Sequence, residues 1–162
     1  MFQNVEQVQK FIKENGILSV DLKYCDLLGR WHHITIPTSR FTEDLMARGI
    51  GFDGSSVGLK SVKAGDMVVV PDLSTGFMDP YWETPVLSFI GKILTADTRE
   101  IFENDPRNIA NNAEAFLRET GIATHSEWGP EFEFYVFDEV VYENLMHKAG
   151  YELFSYEADW SS

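Results

Sequence analysis

The sequence predicts a mixed fold: several short strands with one or two helices fill the first hundred residues, and a second segment then opens with a helix. Three observations carry this. Apolar residues recur first at helical spacing and then in alternation, with turn-forming residues between the runs. From Thr95 to Asp105 the chain turns polar, and a new helical period follows. Its 162 residues, 44% of them hydrophobic, suffice for one ordinary core, or one core with a small second unit.

Val5, Val8, Phe11 and Ile12 share a helical face behind Asn4, an N-cap candidate with Gln7 three residues on, and Gly16 is placed to end the helix. From Ile17 the period falls to two. Leu18, Val20, Leu22 and Tyr24 alternate with polar neighbours, Asp26-Leu27-Leu28-Gly29 turns the chain, and Trp31 to Ile36 alternates again, which predicts a hairpin. Thr42 is positioned to cap a helix through Leu45, Met46 and Arg48 that Gly49 ends, so that GIGFDG, residues 49 to 54, leaves a helix and enters an irregular loop. Met67 to Val70 is an apolar run closed by Pro71, and Val86 to Leu94 reads as a strand after the turn-rich DLSTGFMDPYWETP. Asp105-Pro106 opens a helix with Ile109, Ala110, Ala113, Phe116 and Leu117 on one face and Gly121 as its stop, which sets a domain boundary between residues 95 and 105.

The charge balance narrows the function. With 13 basic against 26 acidic residues, a net of -13, the chain repels phosphate backbones and has no basic cluster to offset that, so nucleic acid and anionic membrane are excluded as partners. The opening MFQNVEQVQKFIKE is amphipathic and carries Glu, unlike a signal or transit peptide, and no apolar run approaches the ~20 residues of a membrane span. A cytoplasmic location is the expectation. The single cysteine, Cys25, forms no internal disulfide and reads as a small strand residue.

Two stretches carry candidate chemistry. In GIGFDG, Gly49, Gly51 and Gly54 stand at the G-x-G-x-x-G spacing of a dinucleotide loop, with the acidic Asp72 downstream. That fingerprint needs a strand before the first glycine and a helix at the third, and here the glycines follow a helix instead. One alternative is structural: Gly49 caps the helix, Gly51 and Gly54 take positive φ, and Asp53 closes an Asx-turn. The other is that the loop presents the Asp53 charge. In GPEFEFYVFD, residues 129 to 138, a strand would set Glu131, Glu133, Tyr135 and Phe137 on one face and Phe132, Phe134 and Val136 on the other. Carboxylates at i and i+2 lie about 7 Å apart on a pleat. The aromatic continuation implies a covered face, where paired acids must raise their pKa, find Lys or Arg, or share a hard cation such as Mg²⁺ or Mn²⁺. The competing reading is an amphipathic strand with two hydrated glutamates, and two ligands fall short of the roughly six such ions want.

Other candidates read as scaffold. His125 and Glu127 continue the alternation as a surface strand, His32 and His33 point to opposite faces, and Phe77, Tyr81 and Trp82 form a packing cluster in a loop. There is no P-loop, nucleophile elbow, CxxC or HExxH. The residues alone yield an Asp-bearing glycine loop and a carboxylate strand, not a reaction.

Taken together, GIGFDGSS, DMVVVPD at 66 to 72, HITIP at 33 to 37, DPRNIANNAE at 105 to 114 and GPEFEFYVFD occur in an order and spacing that resembles the N-terminal third of bacterial and archaeal type I glutamine synthetases. The resemblance implies an α+β fold: a β-grasp-like domain over residues 1–97, then the start of the catalytic α/β domain over 98–162. It implies ATP-dependent ligation of ammonia to L-glutamate through γ-glutamyl phosphate, with Mg²⁺ or Mn²⁺ and a dodecamer of two hexameric rings. By motif position Glu131 and Glu133 would be metal ligands, and Asp53 the carboxylate that helps bind ammonium and take its proton, in a neighbouring subunit's site. The loop departs from the family pattern at VGLKSVKAG, which is slightly short and offers Leu59 and Lys60. Family members are well over twice this long, so this chain alone is expected to be inactive. The alternatives are a ligase joining glutamate to another amine, and a non-enzymatic short paralogue that binds a complete synthetase.

Overall fold

The computed structural model describes residues 1–61 and 65–159, in two compact units, Met1–His125 and Ser126–Ser162. Helix α1 spans Val5–Glu14, and the Asn4 side chain accepts from the Gln7 N–H while the Gln7 side chain accepts from the Gln3 N–H. Gly16, at φ +59, turns the chain out of the helix. Strands β1 (Ser19–Cys25) and β2 (Trp31–Pro37) form the expected antiparallel hairpin. Then come helix α2 (Glu43–Arg48), β3 (Ile50–Asp53), β4 (Asp66–Pro71), the two-residue β5 (Phe77–Met78) and β6 (Val86–Thr95).

The strands form one sheet in the order β2-β1-β6-β4-β3, with β5 also on β6. β1 runs parallel to the first half of β6, and β4 antiparallel to the second half. β6 is central because both of its faces are apolar or small: Val86, Leu87, Ser88 and Phe89 are all buried. α1 closes one face. Val5 and Val8 are buried there, and Phe41 stacks on Phe89 with ring centroids 5.1 Å apart.

On the opposite face β1 carries Asp21 and Lys23, and the segment after β5 lies against it. Asp79 accepts from Lys23 at 2.6 Å and from the Ser88 hydroxyl at 3.3 Å, and Trp82 meets the His33 ring at 5.9 Å. The turn-rich stretch is thus pinned to the sheet by an ion pair whose acid is buried and whose lysine is partly exposed.

Three expectations are corrected. The GIGFDG stretch is not an irregular loop: Ile50 to Asp53 pairs with β4, Ile50 opposite Val69 and Asp53 opposite Asp66. The open edge of β4 supplies the hydrogen bonds, and Phe52 packs on Tyr24 at 4.6 Å. Nor do Gly51 and Gly54 take positive φ. Gly54 is needed for space instead, since a Cβ there would run into Met67 and lie 3.2 Å from the Gly65 carbonyl.

The third correction concerns residues 129–138. Among the described residues Gly129 to Phe137 belong to no strand, and Tyr135 is 87% exposed, so the face expected to be covered is open. A strand needs a hydrogen-bonded neighbour, and Glu131 to Val136 take part in no sheet among the described residues. Within the first unit, helix α3 (Pro106–Glu119) begins as read, with Asp105 accepting from the Arg107 N–H, but it buries no residue and leaves Phe116 65% exposed. In the second unit β7 (Glu139–Leu145) and β8 (Lys148–Phe154) form an antiparallel hairpin that the sequence reading did not anticipate.

Candidate active site

Asp53 closes the edge strand β3 and caps the short 3-10 helix Gly54–Val57. Its Oδ1 accepts from the Ser55 N–H at 2.9 Å, and its Oδ2 accepts from the hydroxyls of Ser55 and Ser56, each at 2.9 Å. The Ser55 hydroxyl, joined by the Ser55 N–H and the Ser56 hydroxyl, holds the Asp53 carboxyl below the ordinary carboxylate range. The turn that makes the Asx geometry thus also makes an exposed, ionised carboxylate. Ser55 and Ser56 were not singled out by sequence reasoning. Their signal was present, because hydroxyl residues two and three places after an aspartate are the donors of an Asx-type turn.

The scaffold around Asp53 is tight. Leu59 and Lys60 donate their N–H groups to the Gly54 carbonyl, and the Gly54 N–H donates to Gly65 at 2.7 Å. Leu59 is buried, and the Lys60 ammonium sits 5.5 Å from the Phe102 ring. Asp72, the acid at the dinucleotide spacing, accepts from Ser74 and from Arg107 at 2.9 Å, and so ties the loop after β4 to α3.

Glu131 and Glu133 lie in the second unit, both exposed, and are two places apart in the unpaired segment. The next pair on that side, Tyr135 and Phe137, stacks with centroids 6.1 Å apart and planes at 17°, the relation of side chains at i and i+2 on one face. Their carboxylates match a hard divalent ion in kind. They do not match it in number: no group of three or more His, Cys, Asp or Glu that could hold a metal occurs among the described residues. His125 and Glu127 are exposed.

Comparison with known proteins decides the family. Residues 16–96 match the β-Grasp domain of glutamine synthetase, and residues 103–159 its catalytic domain. The chain belongs to the glutamine synthetase family. Over 163 aligned residues it is 39% identical to the glutamine synthetase of Frankia alni, covering 100% of this chain and 34% of that protein. It is also 39% identical, again over its whole length, to a 3-hydroxylaminophenol mutase of Cupriavidus pinatubonensis, of which it covers 35%. The chain therefore spans about a third of these relatives. A solved glutamine synthetase of Plasmodium falciparum superimposes with a TM-score of 0.70 over 94% of this chain and 30% of the other, at 21% identity, which shows the shared fold. The β-grasp expectation for the N-terminal sheet is met. No helix among the described residues is long and apolar enough to cross a membrane.

Proposed function

We propose that this chain supplies the N-terminal portion of an enzyme that ligates ammonia to L-glutamate with ATP, through γ-glutamyl phosphate. The observation that carries the reading is Asp53, an ionised carboxylate held by three donors at the end of an edge strand, within the residues that match the family's β-Grasp domain. A small anion flanked by hydroxyls suits a small cation, so Asp53 attracts ammonium and accepts its proton as ammonia attacks. Glu131 and Glu133 would each supply one carboxylate toward Mg²⁺ or Mn²⁺, with the remaining ligands to come from outside the described residues. The chemistry such ions would supply there is neutralisation of charge on a transferring phosphoryl group.

The reading divides the chain into a β-grasp-like domain, residues 1–97, and the start of the catalytic domain, 98–162, a division supported by where the two family matches fall. It places the enzyme in the cytoplasm as a dodecamer, with Asp53 serving a neighbouring subunit and with neither nucleic acid nor membrane as partner. The net charge of -13 supports that last point. The relative named as a mutase shares the same stretch at the same identity, so the choice of reaction calls for a direct test.

In the complete enzyme carrying this segment, Asp53→Asn lowers glutamine formation about a hundredfold or more, with assembly intact by sedimentation. Turnover unchanged by the substitution removes Asp53 from the chemistry. A panel of ammonia, methylamine and 3-hydroxylaminophenol decides among ammonia ligase, amine ligase and mutase, and ammonia is expected to be the preferred substrate.

A further inference from the structure

An aspartate at the exposed end of an edge strand ordinarily samples several rotamers, and its two oxygens exchange places. Asp53 is denied this. Ser55 reaches both oxygens at once: its N–H donates to Oδ1 at 2.9 Å and its hydroxyl to Oδ2 at 2.9 Å. Ser56 reaches only Oδ2, also at 2.9 Å. Two donors from one residue on the two oxygens fix the plane of the carboxylate as well as its direction, which a single donor does not.

One neighbour lies close to this grip. Gly65 lies where any Cβ would strike Asp53 Oδ1, so that flank is closed to a side chain. Across the β3–β4 ladder the residue opposite Asp53 is Asp66, a second acid. The donors that hold Asp53 all come from the 3-10 helix that follows it.

We propose that Ser55 is the positioning residue of the ammonia site, gripping both oxygens of Asp53 so that the carboxylate keeps one orientation. The inference rests on the ligase reading for the site itself, while the grip is a property of this chain. It acts through Asp53 and does not require Ser55 to touch substrate.

The test uses the chain labelled with ¹³C at its carboxyl carbons and follows the titrations of Asp53 and Asp66 separately by NMR. Ser55→Ala moves the Asp53 midpoint upward, and Ser55→Thr, which restores a hydroxyl, returns it. Unchanged amide shifts along β3 and β4 in both variants exclude misfolding as the cause. An Asp53 midpoint that stays in place in Ser55→Ala overturns the proposal. In the complete enzyme, Ser55→Ala raises the KM for ammonium by about tenfold, the value of one hydrogen bond to a charged group, and changes kcat less. Equal losses in kcat and kcat/KM, with KM unmoved, also overturn it. A shifted midpoint together with full activity in Asp53→Asn identifies the ligase reading as what has failed and leaves the grip standing.

Discussion

Gly49 occupies a conformation closed to side chains. Its φ of +70 with ψ of -170 falls in a region almost confined to glycine, and a Cβ there would lie 2.7 Å from the Val69 carbonyl. Gly49→Ala is therefore expected to cost about 2–3 kcal/mol, read as a lower urea midpoint at unchanged slope. Lys23 and Asp79 form the other sensitive pair. The Lys23 hydrogen bond holds the Asp79 carboxyl below its usual range, so its contribution to stability is complete above the ordinary carboxylate range and is lost as pH falls through the lowered folded value. Lys23→Met leaves that buried carboxylate without its cation. The expected loss is about 2–3 kcal/mol at neutral pH, shrinking as Asp79 protonates in acid. A loss that does not vary with pH in urea titrations would contradict the assignment.

At the level of elements, α2 is held at its C-terminal end from a distance. Arg99 donates to the carbonyls of Arg48 at 2.6 Å and Ala47 at 2.7 Å, and it does so from a left-handed backbone, φ +63. Arg99→Ala removes these caps and keeps the strain, so it is expected to cost about 1 kcal/mol, while Arg99→Gly relieves part of it and costs less. Thermal midpoints of the two variants give the order. Elements that carry their own signal were legible in the sequence: α1 through Asn4 and Gly16, α3 through Asp105 and Pro106, and β1–β2 through the turn at Asp26 to Gly29. β3 and β5 were not, because four and two residues hold no period and their strand character comes from β4 and β6. Residues 129–137 erred the other way, since a strand-like composition forms a strand only beside a partner.

Across the whole molecule, order is uneven. Val20, Leu22, Leu87, Phe89 and Ile93 are fully buried around the β1–β6 pair, whereas Glu131 to Val136 are exposed and unpaired. Amide hydrogen exchange should therefore find global protection in β1 and β6 and next to none at Glu131 to Val136. Slow exchange there would show that the segment is paired in solution. The site was legible to the same degree. Asp53 stood out as the one charge in a glycine-rich stretch, but its serine donors emerge only from the turn geometry, and Glu131 and Glu133 stay two carboxylates on one segment. The parallel pairing of Ser19 with Val86 has a last consequence, in the timing of synthesis. During translation at ~5–20 residues per second, the first hairpin waits several seconds for its central partner to leave the ribosome. Until then its inner edge stays open, so nascent chains stalled before Val86 to Thr95 has cleared the exit tunnel should recruit chaperones that those stalled after it has cleared no longer need.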